Sequence, residues 1–198
     1  MTKLDSCRKV IAERITGPII SVLSRTPLTP DIVTWLGFGI TIAAGALIVT
    51  EHFLAAGIVV LVAGLFDMLD GALARTTGRT SRFGAILDST LDRLSEALLL
   101  ITLLAVFVKY GQTAESVLAA VALAGSLIVS YIRARMEGLG IECKAGLFTR
   151  PERVIILSLG LLFSGFDNAL LIALAVITFF SWITVIERLV YAWYQTRS

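Results

Sequence analysis

Charge is the scarce ingredient of this sequence. Asp, Glu, Lys and Arg make up 16% of its 198 residues and hydrophobic residues 57%, whereas a soluble domain normally carries about 25% charged residues. That shortage excludes an ordinary soluble protein and puts the chain in a bilayer. Histidine is nearly absent, and the one present, His52, falls at an expected external turn and receives no role. The two cysteines, Cys7 and Cys143, both fall on the expected cytoplasmic side, where thiols stay reduced, so neither a disulfide nor a metal site is expected from them. The N-terminal segment lacks an unbroken apolar stretch, which excludes a cleavable signal peptide. There is no internal repeat, low-complexity tract or second soluble domain. Residues 1–198 therefore read as one membrane domain, with no sign of a nucleic-acid partner.

Apolar runs of spanning length are abundant. A helix needs about 20 mostly apolar residues to cross a hydrocarbon core of about 30 Å. The candidates are Ile32–Thr50, Phe53–Ala74, Gly84–Val108, Ala114–Met136, Arg150–Gly165 and Asn168–Tyr191. The expected fold is an all-α integral membrane protein, with six transmembrane helices over residues 32–191. Lys3, Arg8, Lys9, Arg14 and Arg25 precede the first run, Arg75, Arg79 and Arg82 follow the second, Arg135, Lys144 and Arg150 follow the fourth, and Arg197 ends the chain; only Lys109 lies opposite. The positive-inside rule then puts both termini, and the second and fourth connections, on the cytoplasmic side of the cell membrane. From Lys3 to Arg25 apolar and basic residues alternate, as in an amphipathic helix lying on that surface; an ordinary cytosolic tail is the plainer alternative. Thr29 suits an N-cap, with Pro30 at the first helical position and Asp31 in the first turn.

The second and third runs carry the chemistry. Asp67 and Asp70 are three apart and Asp88 and Asp92 four apart, so each pair shares a helix face. An intramembrane carboxylate costs at least about 2.5 kcal/mol to insert and faces a functional interior. Four together repel one another and require cations. Hard divalent ions prefer oxygen ligands, and two of Mg²⁺ or Mn²⁺ balance four Asp. Phe53 to Asp67 is about 21 Å of helix and Val108 back to Asp92 about 24 Å, so both pairs lie towards the cytoplasmic face. A lipid pyrophosphate sits at that depth. Gly71 and Ala74 follow Asp67 on one stripe, Gly84 clears the start of the third run, and Arg75 supplies a positive charge suited to phosphate. Taken singly, these small residues could instead be helix–helix contacts.

The order Asp-x2-Asp-Gly-x2-Ala-Arg-x8-Gly-x3-Asp-x3-Asp, filled by Asp67, Asp70, Gly71, Ala74, Arg75, Gly84, Asp88 and Asp92, resembles the signature of the CDP-alcohol phosphotransferases in every position. The likeness extends over nearly the whole chain, including Leu28-Thr29-Pro30-Asp31. It implies a six-helix homodimer with two metals per active site held by the four Asp. It also implies a CDP-lipid donor bound by Thr29, Pro30, Asp31, Gly71, Ala74, Arg75, Thr80 and Gly84. In that family an acceptor hydroxyl attacks the lipid-side phosphorus and CMP leaves. Asp92 would be general base, metal ligand or both, and Arg75 a phosphate contact or a structural ion pair.

The acceptor is read from the remaining basic residues. Arg153 and Arg188 fall inside apolar runs, and Arg133 and Arg135, two apart, cannot share a face. The plain alternative for each is cytoplasmic anchoring. Thr149-x-x-Glu152 reads as a capping box, and that helix start, flanked by Arg150 and Arg153, suits an anion. Clustered Arg argues for an acceptor with its own phosphate, whereas choline would call for aromatic rings. Ser-Tyr-Ile-x-Ala-Arg and Arg-Pro-Glu-Arg look most like the family members that join CDP-diacylglycerol to inositol 1-phosphate. In them the acceptor phosphate would meet Ser130, Arg133, Arg135, Arg153 and Arg188, although Arg133 stands where some members have Lys. Members using glycerol 3-phosphate, or an archaeal donor lipid, are alternatives. A Mg²⁺-dependent intramembrane prenyltransferase and a cation transporter are more distant readings, since neither explains the Gly, Ala and Arg positions.

Overall fold

The computed structural model describes residues 17, 19–21 and 28–197, and these contain helices and connections but no strand. Six helices follow in order: α1 (Pro30–Val49), α2 (Phe53–Thr77), α3 (Arg82–Lys109), α4 (Thr113–Gly138), α5 (Arg150–Leu162) and α6 (Ala169–Arg197). Residues 17 and 19–21 are also helical, and Ile20 packs among Val33 of α1 and Leu69 and Leu73 of α2. The remainder of the amphipathic helix expected over Lys3–Arg25, with Cys7, lies outside the described residues.

The helix ends follow local chemistry. Thr29 caps α1 as its side chain accepts from the Ile32 N–H at 3.4 Å, with Pro30 in the first turn. Gly78 ends α2 at φ +65°, a left-handed conformation that glycine adopts without steric cost. Ser81 starts α3 by accepting from the Gly84 N–H at 2.8 Å. Caps and polar turns carry the helices past the apolar runs that predict them. Thus α2 reaches Thr77 rather than Ala74, and α6 reaches Arg197 rather than Tyr191.

Four helices, α1, α2, α4 and α6, are long and apolar enough to cross a membrane. The other two expected spans fall short of that measure for different reasons. α3 is 28 residues long but carries Asp88, Asp92, Arg93 and Glu96 along it. α5 has 13 residues, about 20 Å of helix against a core of about 30 Å.

α1 lies against α2 and α3, α2 against α5, α3 against α4, and α6 against both α4 and α5. Ala44, Ile48, Val60, Leu100, Leu103, Leu161 and Leu174 form the main core. Small residues let helices approach where no hydrophobic force distinguishes protein from lipid. A methyl group at Gly57 of α2 would meet Leu162 at 2.9 Å, and one at Gly160 of α5 would meet Ala173 of α6 at 2.6 Å. At the end of the bundle remote from the Asp cluster, Glu51 accepts from Lys109 at 2.9 Å and from the Tyr110 hydroxyl. Those two bonds hold its carboxyl below the usual range, Tyr110 contributing most.

A buried ion pair joins α3 to α5. Arg153, 2% exposed, donates through Nε at 2.5 Å and Nη2 at 2.9 Å to the two oxygens of Glu96, 6% exposed. Arg153→Ala would leave Glu96 charged and unpaired, so it should lower unfolding stability in detergent by about 3–5 kcal/mol. Removing both charges with a matched apolar pair should restore most of the loss. Gly57→Ala should also lower the melting temperature, since overpacking costs about 1–3 kcal/mol. Gly39→Ala should not, because nothing lies within 4 Å of a methyl there.

Candidate active site

The acidic residues of α2 and α3 face one another beside the start of α5. Asp67 Oδ2 accepts from Arg150 Nη2 at 2.7 Å, and Asp92 Oδ1 accepts from Arg150 Nη1 at 2.6 Å. One guanidinium therefore bridges carboxylates from two helices. The three side chains are only 19–23% exposed, so the charges are screened little by solvent. Asp70, 3% exposed, accepts from the Thr34 hydroxyl of α1 at 2.7 Å. Asp88 lies within electrostatic reach of Asp67 and Arg150. α1 can come this close because residue 37 is glycine. A methyl group there would stand 3.3 Å from Asp67 Oδ1.

Residues expected to bind the nucleotide gather at the same end. A methyl on Gly84 would meet Asp31 Oδ1 at 2.9 Å, so the start of α1 and the start of α3 are in contact. Among the described residues, a methyl on Gly71 would meet only Arg75 of its own helix, at 3.4 Å. Its small size is thus free for something outside the described chain. Ala74 is half-buried, while Arg75, Thr80 and Thr29 are exposed and Pro30 is partly covered.

The basic residues expected at the acceptor have separate partners. Arg153 is committed to Glu96. Arg188, 3% exposed, donates to the carbonyls of Val129 at 2.6 Å and Ala145 at 3.2 Å. Arg133 pairs with Glu137 at 2.8 Å along α4. Arg135 is exposed and Ser130 half-buried. Glu152 accepts from the Thr149 N–H at 2.7 Å, completing the capping box at the start of α5.

Three members of this site escape a reading of the sequence. Thr34, one turn after Pro30, gives no sign of its partner Asp70. Glu96 continues the spacing of Asp88 and Asp92, and that extended stripe is a signal that could have found it. Arg150 is legible as a helix-start cation but not as a bridge.

A cavity lined by Thr41, Asp67, Ser95, Glu96, Arg150 and Arg153 adjoins the cluster. Its free space of about 20 Å³ holds one water, which needs about 10–15 Å³, and is too small for any substrate. The donor set is wholly oxygen, and a cation already stands between two of its carboxylates, so these residues fit a hard divalent ion. No group of three His, Cys, Asp or Glu side chains among the described residues is arranged to hold one as they stand.

Comparison with known proteins agrees with this chemistry. The sequence family described as CDP-alcohol phosphatidyltransferase matches residues 27–193. The chain is similar to the phosphatidylinositol phosphate synthase of Mycobacteroides abscessus, 40% identical over 155 residues that cover 77% of this chain and 70% of that one. It is also similar to the archaetidylinositol phosphate synthase of Methanothermobacter thermautotrophicus, 37% identical over 199 residues, covering 98% and 96%. Among solved structures, the phosphatidylinositol phosphate synthase of Mycobacterium tuberculosis with CDP-DAG bound superposes with a TM-score of 0.82 at 37% identity, over 91% of this chain and 94% of that one. The same enzyme in complex with manganese and citrate gives 0.82 at 36% identity, over 90% and 88%. With the Asp motif, the all-helical fold and the matched length in agreement, this chain belongs to the CDP-alcohol phosphatidyltransferase family, whose members are membrane enzymes of phospholipid synthesis.

Proposed function

We propose that the protein transfers a phosphatidyl group from CDP-diacylglycerol to inositol 1-phosphate, giving phosphatidylinositol phosphate and CMP. One observation carries the reading: carboxylates from two neighbouring helices, Asp67 and Asp92, converge closely enough to share a single cation. In this reading Asp67, Asp70, Asp88 and Asp92 hold two ions of Mg²⁺ or Mn²⁺. When bound, such ions neutralise and orient a pyrophosphate.

The chain's own residues supply the rest. Thr34 fixes the rotamer of Asp70. Gly71, Ala74 and Gly84, with Thr29, Pro30, Asp31, Arg75 and Thr80, line the nucleotide side. The acceptor hydroxyl forms a new oxygen–phosphorus bond to the lipid-side phosphorus, the bond to CMP breaks, and the hydroxyl proton passes to a carboxylate oxygen of Asp92. The acceptor phosphate lies towards the loop-side ends of α4, α5 and α6, beside Ser130, Arg133 and Arg135, while the buried Arg153 and Arg188, held by Glu96 and by the carbonyls of Val129 and Ala145, add positive charge behind it. Support comes from Arg188 lying within electrostatic reach of both Arg133 and Arg153. The similar proteins named for an inositol phosphate product favour this acceptor.

The same comparison supports a second reading of the donor. A relative named archaetidylinositol phosphate synthase matches almost end to end, so an archaeal ether lipid in place of the diacyl donor is the specific alternative. We further propose that α3 and α5 complete six spans in a homodimer of the cell membrane. Both termini and the active site would then face the cytoplasm, and the N-terminal segment would lie on that surface.

Purified protein with Mg²⁺ or Mn²⁺ should release CMP from CDP-diacylglycerol faster with inositol 1-phosphate than with glycerol 3-phosphate. The reverse order would assign it as a phosphatidylglycerophosphate synthase. Asp92→Asn should lower turnover by about 10²–10⁴-fold, the usual share of a general base, while CDP-lipid still binds. Turnover within tenfold of the unaltered protein would remove Asp92 from proton transfer.

A further inference from the structure

We infer that Arg150 is a resident, exchangeable counter-cation of the Asp cluster, which a divalent ion must displace from Asp67 and Asp92 before the site can act. The inference rests on the metal-dependent function proposed above. Its basis is a contrast between the two arginines of α5.

Arg153 is locked, since two of its nitrogens meet both oxygens of Glu96 in a pair less than 8% exposed on either side. Arg150 is held differently. Its Nη1 and Nη2 each meet one oxygen of a different carboxylate, and its buried Nε has no hydrogen-bond partner among the described residues. The two carboxylates that anchor it belong to the motif expected to take the metals. Guanidinium and metal therefore compete for Asp67 Oδ2 and Asp92 Oδ1, each of which holds a guanidinium nitrogen at 2.6–2.7 Å. A hard ion bound to those oxygens would sit at about 2.0–2.1 Å, in the place of the guanidinium.

The local architecture lets the side chain move without the helix. Arg150 is the first residue of α5, and the capping box of Thr149 and Glu152 fixes the backbone there. Pro151 follows it in the first turn, where the missing N–H has no helical role. Only side-chain torsions need to change for the guanidinium to leave. While it stays, it offsets the repulsion among Asp67, Asp88 and Asp92 in a poorly solvated site, which would otherwise resist folding. Arg150 acts through Asp67 and Asp92 and is a positioning residue.

The test is Mn²⁺ binding to the purified full chain in detergent, without lipid or acceptor, by titration calorimetry. It compares the unaltered protein, Arg150→Gln and Arg150→Lys. Coupling between competing sites is commonly worth about 5–150-fold, and Arg150→Gln should bind Mn²⁺ about tenfold more tightly than the unaltered protein. Arg150→Lys should fall between them, because a point charge cannot bridge two carboxylates as the planar fork does. In EDTA the melting temperature of Arg150→Gln should be lower than that of the unaltered protein, and Mn²⁺ should raise it by more. A merely structural strut would instead lower the melting temperature equally with and without Mn²⁺ and leave the affinity unchanged. That pattern, or weaker Mn²⁺ binding in both variants, overturns the inference while leaving the proposed function intact. If the unaltered protein binds no Mn²⁺, the metal-dependent function fails and this inference with it. Should Arg150→Gln not fold, Arg150→Lys decides alone, and affinity equal to that of the unaltered protein counts against exchange.

Discussion

Four carboxylates set inside an apolar helix bundle cannot stand without cations, and that constraint organises the rest of the molecule. Water would ordinarily solvate such groups, but here α1 closes one side through Gly37 and α5 closes another. Each carboxylate must therefore find a partner within the protein or a bound ion. Thr34 satisfies part of Asp70, and Arg150 serves Asp67 and Asp92 together. α5 is short and begins beside the cluster, so its first residue delivers a guanidinium to both acidic helices.

Deeper in the bundle a second charge pair has a different purpose. Glu96 is one turn beyond Asp92 on α3, and it joins Arg153 with both oxygens engaged. That pair ties α5 to α3 one turn beyond Arg150. A fixed pair beneath and a two-carboxylate bridge above share one helix face. The fold thus separates the charge that holds the structure from the charge that can change partners.

Much of this was written in the sequence, for a physical reason. Helical periodicity is local, so Asp67 with Asp70 and Asp88 with Asp92 could be assigned to common faces from spacing alone. The caps at Thr29 and Thr149 were legible in the same way, since capping is a matter of three or four residues. Long-range pairing was not. Arg153 and Arg188 stood out as charges in apolar surroundings, yet nothing local indicated that Glu96, 57 positions away, would take one, or that backbone carbonyls of Val129 and Ala145 would take the other. The glycines of closest helix approach, Gly57 and Gly160, lie outside the motif and look like any others in an apolar run. Hydropathy marks apolar runs, whereas helix length and charge content separate α3 and α5 from the four unambiguous candidates.

The central claim is that the inner ends of α2 and α3 form a divalent-metal site. Anomalous diffraction at the manganese edge, from crystals of the protein grown with Mn²⁺, addresses it most directly. The account predicts anomalous peaks among Asp67, Asp70, Asp88 and Asp92, with the Arg150 side chain withdrawn from Asp67 and Asp92. Crystals that show no peak there, with the guanidinium still bridging the two carboxylates at saturating Mn²⁺, would contradict it.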